Sequence, residues 1–248
     1  MTRIKRMIAP LLLALALPAA AKAACHPMSH DGIPYTVCAV DPAAEDLRLF
    51  RLDAAGRVLG SFQRLQDMVE DEGRALTFAM NAGMYHQDRS AVGLYVEDGV
   101  EQHRTIASDG PGNFGLLPNG VLCLTDGAAR VIETQTYLAE APECRDATQS
   151  GPMLVIDGAL HPRFLPDSTS RHIRNGVGVG GDGIAYFAIS DAPVTFHEFA
   201  RLFRDVLHTP NALYLDGNIS RLYAPDLGRA DGGFPMGPIV ATVADPQR

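Results

Sequence analysis

The chain has 248 residues, with 21 basic residues against 29 acidic ones, a formal net charge of −8 and no tryptophan. An acidic balance of this kind argues against nucleic acid as a partner. Both lysines fall within the first 22 residues, so the rest of the chain has no amine for Schiff-base chemistry and no P-loop lysine.

Arg3, Lys5 and Arg6 precede an apolar run from Met7 to about Pro18, which gives way to small residues ending Ala21-Lys22-Ala23. Charge, apolar core and an A-x-A site in that order predict a secretory signal over residues 1–23, cleaved near Ala23. The run is shorter than the roughly 20 residues a membrane span needs, and Lys22 replaces the aliphatic residue a lipoprotein signal places three before its Cys. The sequence therefore predicts one domain over residues 24–248, with no membrane insertion after cleavage, in the periplasm or secreted. Cleavage removes four of the 21 basic residues and leaves 17, all arginine, against 29 acidic.

Apolar, β-favouring runs then follow in order: 35–40, 47–52, 76–79, 92–96, 120–124, 153–156, 184–189, 212–215 and 239–243. Asp98-Gly99, Asn119-Gly120, Asp126-Gly127, Asp157-Gly158 and Asp182-Gly183 adjoin them, and Asx-Gly is the strongest short hairpin signal. Two helices are expected. One covers about 62–72, burying Phe62, Leu65, Met68 and Val69 and stopping at Gly73. The other covers 196–207, opened by a Thr195/Glu198 capping box. Many hairpins with few helices read as an α+β fold, a single domain with a largely antiparallel or mixed sheet flanked by a few helices.

Four cysteines follow the leader, Cys25, Cys38, Cys123 and Cys144, with no C-x-x-C pair and no zinc-ligand spacing. Their even number in an exported chain predicts two disulfides. Sequence proximity favours Cys25 with Cys38 and Cys123 with Cys144, although four cysteines allow three connectivities and spacing does not choose among them.

Four polar, glycine-bearing clusters interrupt or follow the apolar runs, where rigid strand ends can present groups to a ligand. They are Asn81-Ala82-Gly83-Met84-Tyr85, Gln149-Ser150-Gly151-Pro152, Arg171-His172-Ile173-Arg174-Asn175-Gly176 and Asp216-Gly217-Asn218-Ile219-Ser220. Together with Gly112-Asn113-Phe114, and in this order from about Leu76 to the C-terminus (motif core 76–243), they resemble the motif set of the phosphodiester glycosidase family. That family includes the lysosomal uncovering enzyme, which removes N-acetylglucosamine from a phosphodiester to leave mannose 6-phosphate. The short bacterial branch is the most similar. The chain departs where better-known members continue Leu-Asp-Gly with further glycines and a Ser pair: here Asn218, Ile219 and Arg221 stand in the loop, while Asp216, Gly217 and Ser220 are kept.

The resemblance implies an exported hydrolase that frees a sugar from a phosphodiester of an envelope or extracellular glycan; no cofactor is expected, and no metal, since Asp226 and Asp231 match no calcium-loop spacing. A phosphomonoester leaving group is weakly basic and makes little demand on a general acid. Asp216 is the candidate carboxylate for the oxocarbenium-like transition state, with Asp191 as the second; Asp191 also suits a turn before Pro193. Arg174 is the candidate cation for phosphate, with Arg171 three residues away. Asn81, Gly83, Gln149, Ser150 and Ser220 are candidate substrate contacts, and His86 and His172 flank the motifs. A different class stays open, a periplasmic carbohydrate- or phosphate-binding protein without turnover, suggested by the altered loop after Asp216.

Overall fold

The computed structural model describes residues 23–245, so the expected leader lies outside the described residues. Among the described residues every strand pairing is antiparallel, and the strands form three sheets. The largest runs in the order Ala24–His30, Ile33–Val40, Ala185–Ser190, Asn175–Val179, Asn211–Asp216, Met153–Ile156 and Ala159–Leu160. A second takes Arg229–Ala230, Leu222–Ala224, Ala75–Asn81, Ile239–Ala244 and Asp46–Phe50 in that order. The third runs Val100–His103, Tyr95–Glu97, Asp146–Ser150, Gly120–Thr125 and Ala128–Glu133. This is an α+β fold in one compact domain, with three sheets where the sequence suggested one.

The central core lies where the sheets face one another. Phe78 and Met80 of the second sheet, Leu122 and Leu124 of the third, and Phe187, Val177 and Leu213 of the first bury their side chains together. These apolar positions are the ones that produced the β-favouring runs, because a strand covered on one or both faces must be apolar there. The hairpins follow the Asx-Gly signals at Asp98-Gly99 and Asp157-Gly158, where both residues have positive φ. Asn119-Gly120 is not a hairpin: Asn119 is buried and its side chain bonds the Phe114 carbonyl and Thr134.

Helix Phe62–Asp71 starts at Ser61, whose hydroxyl accepts from Arg64 N–H, and buries Phe62, Leu65 and Val69 against the second sheet. The capping box at Thr195 opens helix Phe196–Arg201. Beyond Arg201 the expected helix widens into a π-helical turn, Leu202–Val206, with the Leu207 N–H bonded to the Leu202 carbonyl. Thr209 takes the Phe203 carbonyl with both its N–H and its hydroxyl, which closes the segment there.

Both proximity pairings of the cysteines form. Cys25 and Cys38 face each other across paired strands with Cα atoms 3.9 Å apart, and Cys123 joins Cys144 at 5.5 Å. The two disulfides are compatible with an exported protein. Among the described residues no helix is long and apolar enough to cross a membrane.

Burial pushes the Glu45 carboxyl up to about 7, against the smaller opposing pull of the Asp41 and Ala23 backbone N–H groups. An acid raised in the fold holds its proton there longer than in the unfolded chain, so stability is full below its ordinary range near pH 4.5 and falls as pH climbs through 7. Glu45→Gln keeps the Oε1 acceptor and removes the charge. The variant should match wild type at pH 4 and melt higher at pH 8, by about 1 kcal/mol after allowance for partial exposure, or roughly 2–4 °C. Equal melting temperatures at pH 8 would contradict this account of Glu45.

Candidate active site

Three strand ends meet at one edge of the largest sheet. Asn175 opens its strand and is paired on one side with Ile189 and on the other with Asp216, so Arg174, Asp191 and Asp216 come from neighbouring strand ends. Asn81, closing a strand of the second sheet, donates from Nδ2 to the Asn175 Oδ1 at 3.2 Å and receives the Asn175 amide on its carbonyl at 3.0 Å. Its own Oδ1 accepts the Arg221 N–H at 2.9 Å. Ser150, closing a strand of the third sheet, donates to the Leu215 carbonyl, and Ser220 donates to the Ile173 and Asp216 carbonyls. The motif residues thus bind the ends of three sheets to one another.

Against this frame lies a cleft of about 710 Å³ whose walls include Tyr85, Arg89, Asn113, Tyr214, Asp216 and Phe234. Asp216 is 8% exposed. Its Oδ1 accepts from the backbone N–H groups of Gly217 at 2.5 Å, Asn218 at 2.7 Å and Ile219 at 3.4 Å, a small nest of donors. Oδ2 has no partner among the described residues, so one oxygen is anchored and the other is free to act. Burial raises the carboxyl above its ordinary range, and the three N–H donors offset part of that rise.

Tyr214 stands beside it. A Cβ on Gly217 would come within 2.1 Å of the Tyr214 hydroxyl, so only glycine lets the phenol lie against the backbone next to the carboxylate. The hydroxyl receives Arg174 Nη1 at 3.4 Å and the Asn113 side chain. Burial raises its pKa well above the ordinary tyrosine range, so the phenol keeps its proton, and with two donors already on its oxygen the O–H is left to donate.

Arg174 sits behind Tyr214 and is 1% exposed. Its Nε bonds the Val194 carbonyl at 2.9 Å and Nη2 the Ser170 carbonyl at 3.1 Å, while the guanidinium stacks 3.7 Å over the Phe196 ring. Among the described residues no carboxylate pairs with it, and burial draws its pKa down from the ordinary arginine value. It reaches the cleft through the Tyr214 hydroxyl. Arg171 does not join it on a common ligand: exposed, it forks onto Glu198 at 2.7 and 2.9 Å.

Asp191, although at the same edge, is held by Arg229 at 2.7 Å and Thr36 at 2.8 Å and is not part of the cleft wall. Gln149 spends its amide inside the fold, accepting from Leu94 and Ile106 N–H and donating to the Ile106 carbonyl and Thr134. Gly83, at φ 120°, packs its backbone on Thr148. His86 and His172 are exposed and contribute no side-chain bond to the cleft.

Tyr85, Asn113, Tyr214, Arg89 and Phe234 are the wall residues that sequence reasoning did not single out. Tyr85 and Asn113 lie inside the quoted motifs, and Tyr214 inside an apolar run, where it reads as core. Arg89 and Phe234 carry no sequence signal, since each reaches the cleft by a turn: Arg89 has φ 71°, and Phe234 follows Gly233 at φ 136°.

The antiparallel α+β fold is shared with solved structures. A hypothetical protein from Synechocystis matches with TM-score 0.58 at 14% identity over 89% of this chain, which spans only 61% of that protein's length. The zebrafish N-acetylglucosamine-1-phosphodiester alpha-N-acetylglucosaminidase catalytic domain, auto-inhibited by its pro-peptide, matches with TM-score 0.57 at 12% identity, over 88% of this chain and 81% of that one. Residues 74–232 match the family model described as phosphodiester glycosidase, and the chain belongs to that family. The uncharacterized protein YigE of Escherichia coli is 33% identical over 184 residues, 74% of this chain and 72% of its own.

Proposed function

We propose that the protein is an exported hydrolase that cleaves a glycosyl phosphodiester of an envelope or extracellular glycan, releasing the sugar and leaving a phosphomonoester. The observation that carries this reading is Asp216, with Oδ1 anchored by three N–H groups and Oδ2 unpartnered in a cleft. Membership of the phosphodiester glycosidase family supports the reaction class.

In this reading Asp216 Oδ2 meets the positive charge that builds at the sugar carbon, as nucleophile or as base for water. Among the described residues Asp216 is the only carboxylate on the cleft wall. A lone carboxylate suits a phosphomonoester leaving group, which departs as an anion with little help from an acid. The Tyr214 hydroxyl, steadied by Arg174 and Asn113, donates a hydrogen bond to a substrate oxygen beside the reacting carbon. Arg174 is therefore a positioning residue.

The test is the product formed from UDP-N-acetylglucosamine and from an N-acetylglucosamine-phosphate methyl diester. Free N-acetylglucosamine with a phosphomonoester is the expected pair. Release of sugar phosphate instead would mean a phosphodiesterase that spares the glycosidic bond, and binding of both compounds without any product would favour the binding-protein reading.

A further inference from the structure

The chain is acidic, and its arginines are mostly engaged by carboxylates: Arg48, Arg74 and Arg145 share Asp46, Arg201 meets Asp31 and Asp205, and Arg229 meets Asp191 and Asp231. Seven of the sixteen described arginines lack a carboxylate partner, and two of these lie near Tyr85. Arg89, on the cleft wall, donates only to the Gln87 carbonyl, with its guanidinium 5.3 Å from the centre of the Tyr85 ring. Arg221 is 8% exposed, bonds the Phe234 carbonyl, and lies so close to Gly233 that any Cβ there would collide with it. Tyr85 is tied to the same loop through its hydroxyl and the Pro235 carbonyl at 3.3 Å.

An arginine left without a carboxylate in an acidic protein keeps its forked donors for an anion, and phosphate fits that fork. We propose that Arg89 grips the substrate's phosphoryl group. Arg221 adds positive charge behind it and fixes the Gly233–Phe234 wall against which the far ester arm lies. The assignment rests on the function proposed above and orients the substrate: sugar toward Asp216 and Tyr214, phosphoryl group at Tyr85 and Arg89, and the alcohol arm, which stays esterified to the phosphoryl group, extending past Phe234, 78% exposed at the mouth. Arg89, on the cleft wall, adds to the positive charge of Arg174 and Arg221 and so helps attract a phosphodiester to a cleft that holds the Asp216 carboxylate.

Arg89→Gln and Arg89→Lys are compared with wild type on two readouts. The first is binding of methyl phosphate, followed by nuclear magnetic resonance shifts of cleft residues, which needs no turnover. The second is hydrolysis of the phosphate methyl diester against an uncharged aryl N-acetylglucosaminide. Arg89→Gln should weaken methyl phosphate binding and raise KM for the diester by 10- to 100-fold, with kcat and any aryl glycoside turnover little changed; Arg89→Lys should recover part of the binding. Wild-type sugar release with methyl phosphate binding unaffected in Arg89→Gln would overturn the assignment while leaving the function standing. Arg89-dependent methyl phosphate binding in a protein that releases no sugar would sustain the phosphate grip and sink the glycosidase reading. Arg221→Gln gives a third point: it should weaken binding less than Arg89→Gln, and a larger effect would make Arg221 the gripping residue instead.

Discussion

Asp216→Asn is expected to abolish sugar release, lowering kcat by at least about 10³-fold, or about 4 kcal/mol of transition-state stabilisation, while the protein stays folded. The amide oxygen of Asn can still accept from Gly217, Asn218 and Ile219, so the loop keeps its shape, and the group that is lost is the charged Oδ2. Stability should move the other way. Burial raises the Asp216 carboxyl, so holding it ionised in the fold costs stability once pH exceeds the ordinary carboxylate range, and that cost is absent where the unfolded chain is protonated too. The Asn variant should therefore melt at or above wild type at pH 7 and lose any advantage near pH 3. The same direction sets the pH profile of the wild type. Activity needs the carboxylate, so the acid limb of kcat/KM should lie above the ordinary aspartate value near 3.9, in proportion to the rise. A variant that retains more than a tenth of wild-type turnover, measured with calorimetry to confirm the fold, would remove Asp216 from its role.

The second large effect is on stability. Cys25–Cys38 and Cys123–Cys144 close loops with sequence separations of 13 and 21 residues. In the chain-entropy account each restrains the unfolded chain by about 3 kcal/mol, and together by about 6 kcal/mol, comparable with the whole stability of many domains. Replacing all four cysteines by alanine should lower the melting temperature by roughly 12–24 °C. The Cys123–Cys144 pair alone, closing the longer loop at the third sheet, should account for at least half of that. A four-alanine variant melting within about 4 °C of wild type would show that the sheets hold themselves without the crosslinks.

The apolar half of this fold was legible in the sequence, and the polar half was not. Strand Met153–Ile156 appears at its expected bounds because four consecutive apolar residues leave little choice. Ala24–His30 was missed, although Asp31-Gly32, with φ 51° and 75°, signals its hairpin. It is an edge strand carrying His26, Pro27, Ser29 and His30, and only its partner strand requires it to be extended. Asp146–Ser150 is buried throughout yet holds Asp146, Thr148, Gln149 and Ser150, each satisfied by a partner far away in sequence. Helix Thr134–Glu140 is too short to show a period and is opened by the Glu133 side chain, not by a Ser, Thr or Asn.

Several motif residues mark the cleft without lining it. Asn81, Ser150, Asn175 and Ser220 were noticed because polar groups at strand ends suggest ligand contacts, but hydrogen-bonding one sheet to the next imposes the same residue types. The spacing of a motif does not distinguish a side chain turned toward a neighbouring strand from one turned toward solvent. Asp216 is both, with one oxygen in the frame and one in the cleft, and it was legible for that reason.

The Asn81–Asn175 pair separates what the signature encodes from what the cleft selects. Because the scaffold is closed by Asn81, Ser150 and Asn175, which are not on the cleft wall, the wall groups Arg89 and Phe234, outside the motifs, can be exchanged without loosening it. In the proposed reading, a chain that keeps the signature can take a different sugar or alcohol. For proteins of this architecture, preference should be sought in the turns that reach over the cleft, at Arg89 and Phe234, before the recurring Asn and Asp at the strand ends.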